Sequence, residues 1–206
     1  MRLVSTILAA AAAIAMAAPA LAHPVTYVGT LSNVGEPAPA NLSLGTGSVT
    51  LILNDDNFTM DLSVNFSGLT GNVSNSHIHC CTAAAGSGSA GVATPVPTFP
   101  GFPGTGSGVP NVKAGTYHQV FDMTQASSYN PAFVTANGGT VGSAFSVLAT
   151  GIASGKAYLN IHTSFVGGGE IRAFLVPSPV PEPETYALML AGLGLVGVAA
   201  RRRSKV

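Results

Sequence analysis

Between Phe58 and Phe66 the chain reads "FTMDLSVNF", and apolar and polar residues alternate without a break. Phe58, Met60, Leu62, Val64 and Phe66 fall on one side, with Thr59, Asp61, Ser63 and Asn65 on the other. Period two predicts a strand with one face in a core and one in water. "NDDN" before it is a turn of residues that tolerate left-handed backbone, and "SVTLIL" supplies the hairpin partner. "VTYVGTLSN" makes an earlier strand, and "KAYLNIHT" and "GGEIRAFLV" a later hairpin around "SFVGG". "GVATPVPTF" reads as a broken edge strand, because prolines lack the ladder donor. One stretch differs: "SSYNPAFVTANGG" offers Asn130 as cap, Pro131 at the first turn and Gly138 as stop, and "TVGSAFSVLATGIASG" follows as a second helix. The expectation is an all-β fold, an antiparallel β-sandwich with a short helical insertion.

Both ends carry addresses rather than folded structure. Arg2, the apolar run from Ile7 to Ala18, and Ala20-Leu21-Ala22 make a signal peptide over residues 1–22, cut by signal peptidase before His23. At the other end a proline-rich spacer leads into an apolar run from Tyr186 to Ala200, closed by "RRRSKV". Basic residues past an apolar run mark the cytoplasmic side of a membrane segment, here shorter than the roughly twenty residues of a full span. "GLGLVG" within that run matches a dinucleotide fingerprint in letters only, since no strand–helix unit surrounds it. Residues 23–177 form one domain. Between the two addresses Lys113, Lys156 and Arg172 face Glu36, Asp55, Asp56, Asp61, Asp122 and Glu170, a mildly acidic balance with no basic patch for nucleic acid.

"VPEPETYALMLAGLGLVGVAARRRSKV" resembles the PEP-CTERM sorting signal of Gram-negative bacteria: Pro181, Glu182 and Pro183, a short hydrophobic helix, then a basic end. The resemblance implies recognition by an exosortase-type protease and cleavage near the motif over residues 178–206. It implies transient anchoring in the inner membrane, then release to periplasm, cell surface or exterior, often alongside exopolysaccharide and biofilm. The middle resembles the CHRD domain in "GTGSVTLILNDDNFTMDLSVNFSGLTG", "HIH" (His77 to His79), "YLNIHT" and "GGEIRAFL". That resemblance implies an immunoglobulin-like sandwich and brings no settled enzymatic activity. This chain departs from the family after His79, where Cys80 and Cys81 stand instead of a Gly-Pro-rich turn, and in a longer insertion from about Ala114 to Ala153.

On a strand His77, His79 and Cys81 share one side, and Tyr158, Asn160 and His162 share one side of the later strand. A hairpin symmetric about Val166 sets Asn160 opposite Arg172 and His162 opposite Glu170, a carboxylate suited to orienting a metal-bound imidazole. If the two strands are neighbours, His77, His79 and His162, with Cys81, make a metal site for zinc or copper. The bland alternative is that the histidines hydrogen-bond loop backbone. Cys80 and Cys81 allow a vicinal disulfide locking a turn, metal ligation through Cys81, or pairing between molecules. No nucleophile elbow, carboxylate pair or phosphate loop appears, so a binding or structural module for exopolysaccharide or another surface protein is expected first, a metal-binding or redox protein second, and an enzyme a distant third.

Overall fold

The computed structural model describes residues 24–178 and 183–203. The expected signal peptide with Ala20 and Ala22, and the motif residues Pro181 and Glu182, lie outside them. In chain order the elements are β1 (Val25–Leu31), β2 (Thr46–Asn54), β3 (Thr59–Ser67), β4 (Val73–Cys80), β5 (Gly115–Asp122), α1 (Pro131–Ala136), α2 (Val141–Ala153), β6 (Ala157–Thr163), β7 (Ile171–Phe174), β8 (Val176–Pro177) and α3 (Pro183–Arg203). The strands form two antiparallel sheets, one ordered β5-β3-β2-β1-β8 and the other β4-β6-β7. This is the all-β sandwich that the alternation predicts.

The core fills the space between the sheets. Val49, Leu51 and Leu53 from β2 and Met60, Leu62, Val64 and Phe66 from β3 meet Ile78, Leu159, Ile161 and Ile171 from the smaller sheet. Each such side chain contributes about 1.5–3 kcal/mol by leaving water. Phe58 does not extend the series. It sits in the hairpin turn at φ 51° and rests its half-exposed ring edge-on against Phe145 of α2, 5.1 Å between centroids. β1 passes so close to β7 that a Cβ on Gly29 would stand 2.7 Å from the Phe174 carbonyl, and this closeness joins the sheets along one edge.

The insertion is capped as its residues predict. Asn130 accepts from the Ala132 N–H ahead of Pro131, and Thr140 and Ser143 close a capping box on α2. Phe145, Leu148 and Ile152 of α2 then enter the core. The insertion is shorter than its expected start near Ala114. Residues 115–122 are the edge strand β5, paired with β3 from Thr59↔Asp122 to Phe66↔Gly115. Only Tyr117 and Phe121 of β5 are buried, so its sequence lacks the alternation that reveals a strand.

"GVATPVPTF" lies along the free edge of β4 but pairs as a single bridge, His79↔Val92, rather than as a strand. Pro95 and Pro97 have no N–H to offer. Threonine hydroxyls serve instead: Thr94 Oγ1 accepts from Ile78 N–H at 2.8 Å and Thr98 Oγ1 from Ser76 N–H at 3.0 Å.

α3 carries Gly192 and Gly194 mid-helix, where an added Cβ would meet nothing within 4 Å among the described residues. Among the described residues no helix is long and apolar enough to cross a membrane.

Candidate metal centre

β4 and β6 are neighbours, and their register builds the site. Asn75 pairs with His162, His77 with Asn160, and His79 with Tyr158, so all six stand on the face of the small sheet turned away from the core. Asn160 pairs in turn with Arg172 of β7, as the hairpin symmetry predicts. In an open sandwich this face would meet water. Here every residue of β6 is buried, and His77, His79 and His162 are only 5, 8 and 7% exposed. The cover is residues 86–98 and the turn around Glu36. His77 Nε2 donates to the Pro97 carbonyl at 2.6 Å and His79 Nδ1 to the Ala90 carbonyl at 2.9 Å, while the Ala90 N–H donates to Tyr158 Oη at 3.3 Å.

Those backbone contacts decide the tautomers. A carbonyl oxygen can only accept, so each ring nitrogen facing one must carry its proton. His162 Nδ1 donates to the Gly167 carbonyl at 2.9 Å in the same way. The nitrogens left with lone pairs are His77 Nδ1, His79 Nε2 and His162 Nε2. His79 Nε2 and His162 Nε2 face each other at 3.3 Å, and His77 Nδ1 is buried with no hydrogen-bond partner. The three rings offer ligand atoms all within 4.8 Å of one another. Two opposed lone pairs repel, and a buried acceptor without a donor is costly. A single cation between them removes both penalties.

A proton is a poor candidate for that cation. Burial above all holds all three imidazoles below the ordinary histidine value, with His79 lowered to about 4. At neutral pH the rings are neutral, the form that ligates metal. Two nitrogens bound tetrahedrally to one zinc at its usual 2.0–2.1 Å lie roughly 3.3–3.4 Å apart, close to the 3.3 Å between His79 Nε2 and His162 Nε2.

A second layer holds this arrangement. The Tyr158 ring stacks on His79, 4.9 Å between centroids and 6° between planes. The Arg172 guanidinium lies over the Tyr158 ring, 4.9 Å from its centroid. Arg172 is buried and paired with Glu36 through Nε–Oε1 at 2.9 Å and Nη2–Oε2 at 3.0 Å. It also donates to the carbonyls of Gly88 and Gly35, tying both covering segments to β7. Burial raises the Glu36 carboxyl above its usual range, against the pull of Arg172.

Two residues expected at the site are elsewhere. Glu170 precedes β7 and turns to the opposite side of the hairpin, where it accepts from Thr163 Oγ1 at 2.6 Å, Ser43 Oγ at 2.5 Å and the N–H groups of Thr70 and Gly71 at 2.6 and 3.0 Å. His162 takes a backbone carbonyl in its place. Cys81 lies beyond the end of β4 and so escapes the alternation. It is joined to Cys80 by a disulfide across a cis peptide and has no free thiolate for a metal. His118 is exposed on the five-stranded sheet beside Asp61 at 2.9 Å, remote in the fold from the three histidines. Glu36 and the covering carbonyls were not visible in the sequence: they sit in irregular segments that carry no periodicity.

A family model described as CHRD domain matches residues 27–175, most of the chain and all three histidines. The chain belongs to the CHRD domain family. A second match, the PEP-CTERM protein-sorting motif, covers residues 179–203. Such motifs mark exported proteins of Gram-negative bacteria that an exosortase-type system processes. No curated protein and no solved structure matches this chain. The CHRD match ends at residue 175 and the sorting motif begins at residue 179.

Proposed function

We propose that this CHRD domain is the transition-metal-binding body of an exported protein, holding copper or zinc through His77 Nδ1, His79 Nε2 and His162 Nε2. The observation that carries the reading is the meeting of three buried imidazoles, which offer ligand atoms within 4.8 Å of one another while one nitrogen of each ring is committed to a backbone carbonyl. A backbone carbonyl that accepts from the far nitrogen of a ligating imidazole fixes the ring's orientation and tautomer in metal proteins. An all-imidazole set suits zinc and copper and disfavours calcium and magnesium, which want oxygen. A role in binding exopolysaccharide or a surface protein would use an exposed face, whereas the histidine face is buried under residues 86–98.

The address follows from the two ends. Residues 1–22 act as a signal peptide removed by signal peptidase, and the Pro181-Glu182-Pro183 tail is cut by an exosortase-type protease after its hydrophobic helix has held the chain at the inner membrane. The metal site then works outside that membrane, in the periplasm or at the cell surface.

Elemental analysis of the exported protein is expected to find about one equivalent of copper or zinc. The His77→Ala/His79→Ala variant should lose it while keeping the far-UV circular dichroism of the parent. A metal-free parent, after reconstitution with each ion in turn, would remove the reading.

A further inference from the structure

Behind the histidines, at the end of β4, the chain carries a second reactive group. Cys80 is buried and Cys81 exposed, and their disulfide forms one wall of a cavity of about 420 Å³. Val92, Asn130, Phe133, Ala136 and Val147 line the rest, so the cavity lies between the β4 edge and both helices of the insertion. The opposite side of the disulfide is closed. α2 presses against it so tightly that a Cβ on Gly151 would stand 2.3 and 2.4 Å from the two sulfurs. Only glycine fits at 151 while the sulfurs stay there. The group is covered at the back, open at the front, and has a cavity of small-molecule size before it.

We infer that Cys80–Cys81 is a thiol-exchange site that accepts two electrons from a dithiol entering this cavity. Attack falls on Sγ of Cys81, the exposed residue of the pair. A thiolate of the reductant bonds to it, the Cys80–Cys81 bond breaks, and Cys80 leaves as a thiolate that takes up a proton. The reductant's second thiol then attacks the reductant's own sulfur in the mixed disulfide. Cys81 departs as a thiolate and is protonated, and the reductant leaves as a disulfide. Outside the cytoplasm the oxidised form is the resting one. Because α2 closes the inner side at Gly151, the freed Cys81 thiol turns into the cavity and loosens the grip of the disulfide on the helical insertion.

The test treats the native exported protein with dithiothreitol, quenches with acid, alkylates, and locates the labels by mass spectrometry. Both cysteines should be labelled at a rate proportional to dithiol concentration, with circular dichroism unchanged. With glutathione as a one-thiol probe, the mixed disulfide should sit on Cys81. Filling the cavity mouth with Ala136→Trp should slow reduction roughly tenfold or more, since exchange rates follow access. Ala132→Phe, on the same wall, serves if the first variant does not fold. Reduction independent of dithiol concentration and no faster than global unfolding would overturn the inference. So would an adduct on Cys80, or an unaltered rate in a folded, plugged variant. No metal is needed for this readout, so its outcome and that of the histidine site are separable.

Discussion

Glu170→Ala is expected to destabilise the domain by about 3 kcal/mol or more, lowering Tm by roughly 6–12 °C. The carboxylate is fully buried and collects two hydroxyl and two backbone donors. Those donors come from the loop after β1, the β3–β4 connection and the end of β6, so one side chain ties three segments far apart in sequence. Alanine leaves four donors facing a void, and each unsatisfied buried group costs about 1–3 kcal/mol, less than additively. Glu170→Gln should fare little better, because its amide brings two more donors among donors.

The same site sets an acid limit. Burial by itself would raise the Glu170 carboxyl, but the Ser43, Thr163, Thr70 and Gly71 donors outweigh it and hold the group below the usual glutamate range. A carboxyl depressed in the folded state adds stability above its unfolded pKa, about 4.3, and that stability is lost as pH falls through the folded value. Denaturant midpoints of the parent should therefore drop below about pH 4, with a smaller drop for Glu170→Ala. A variant whose midpoint falls as steeply as the parent's would place the acid sensitivity elsewhere.

Arg172→Met is the second large effect, expected at about 3–5 kcal/mol. The guanidinium neutralises Glu36, caps the carbonyls of Gly35 and Gly88 and lies on Tyr158. Removing it strands a buried carboxylate whose own partner is gone, and burial already raises that carboxyl. The double variant Glu36→Leu/Arg172→Met removes both charges and should recover much of the loss. Urea unfolding of the parent, both single variants and the double variant checks this. Equal losses in Arg172→Met and in the double variant would mean that packing on Tyr158, not the stranded charge, dominates.

The reach of sequence reasoning here has a physical boundary. Alternation in β3 was legible because a half-buried antiparallel strand writes its two faces directly into the chain. The Asn160–Arg172 pairing was legible because a hairpin's register follows from its turn, and α1 because Asn130 and Pro131 are local signals. β5 was hidden, since an edge strand with only two buried residues has no pattern to display. The histidine face was legible as a face, but not as an interior. Its cover comes from residues 86–98 and Glu36, held by carbonyls and by Arg172, and such contacts depend on three-dimensional neighbours rather than on residue type. Glu170 was misassigned for a related reason: strand alternation ends where the strand does, and this residue stands one position before β7 begins.

The decisive measurement is X-ray absorption spectroscopy at the copper and zinc edges of the reconstituted domain. Three neutral imidazoles converging on one ion predict a first shell of three nitrogens at about 2.0 Å with the outer-shell scattering of imidazole rings, lost in His77→Ala/His79→Ala. A shell containing sulfur at about 2.3 Å, or a spectrum unchanged in that variant, would contradict the assignment of His77, His79 and His162 as the metal centre.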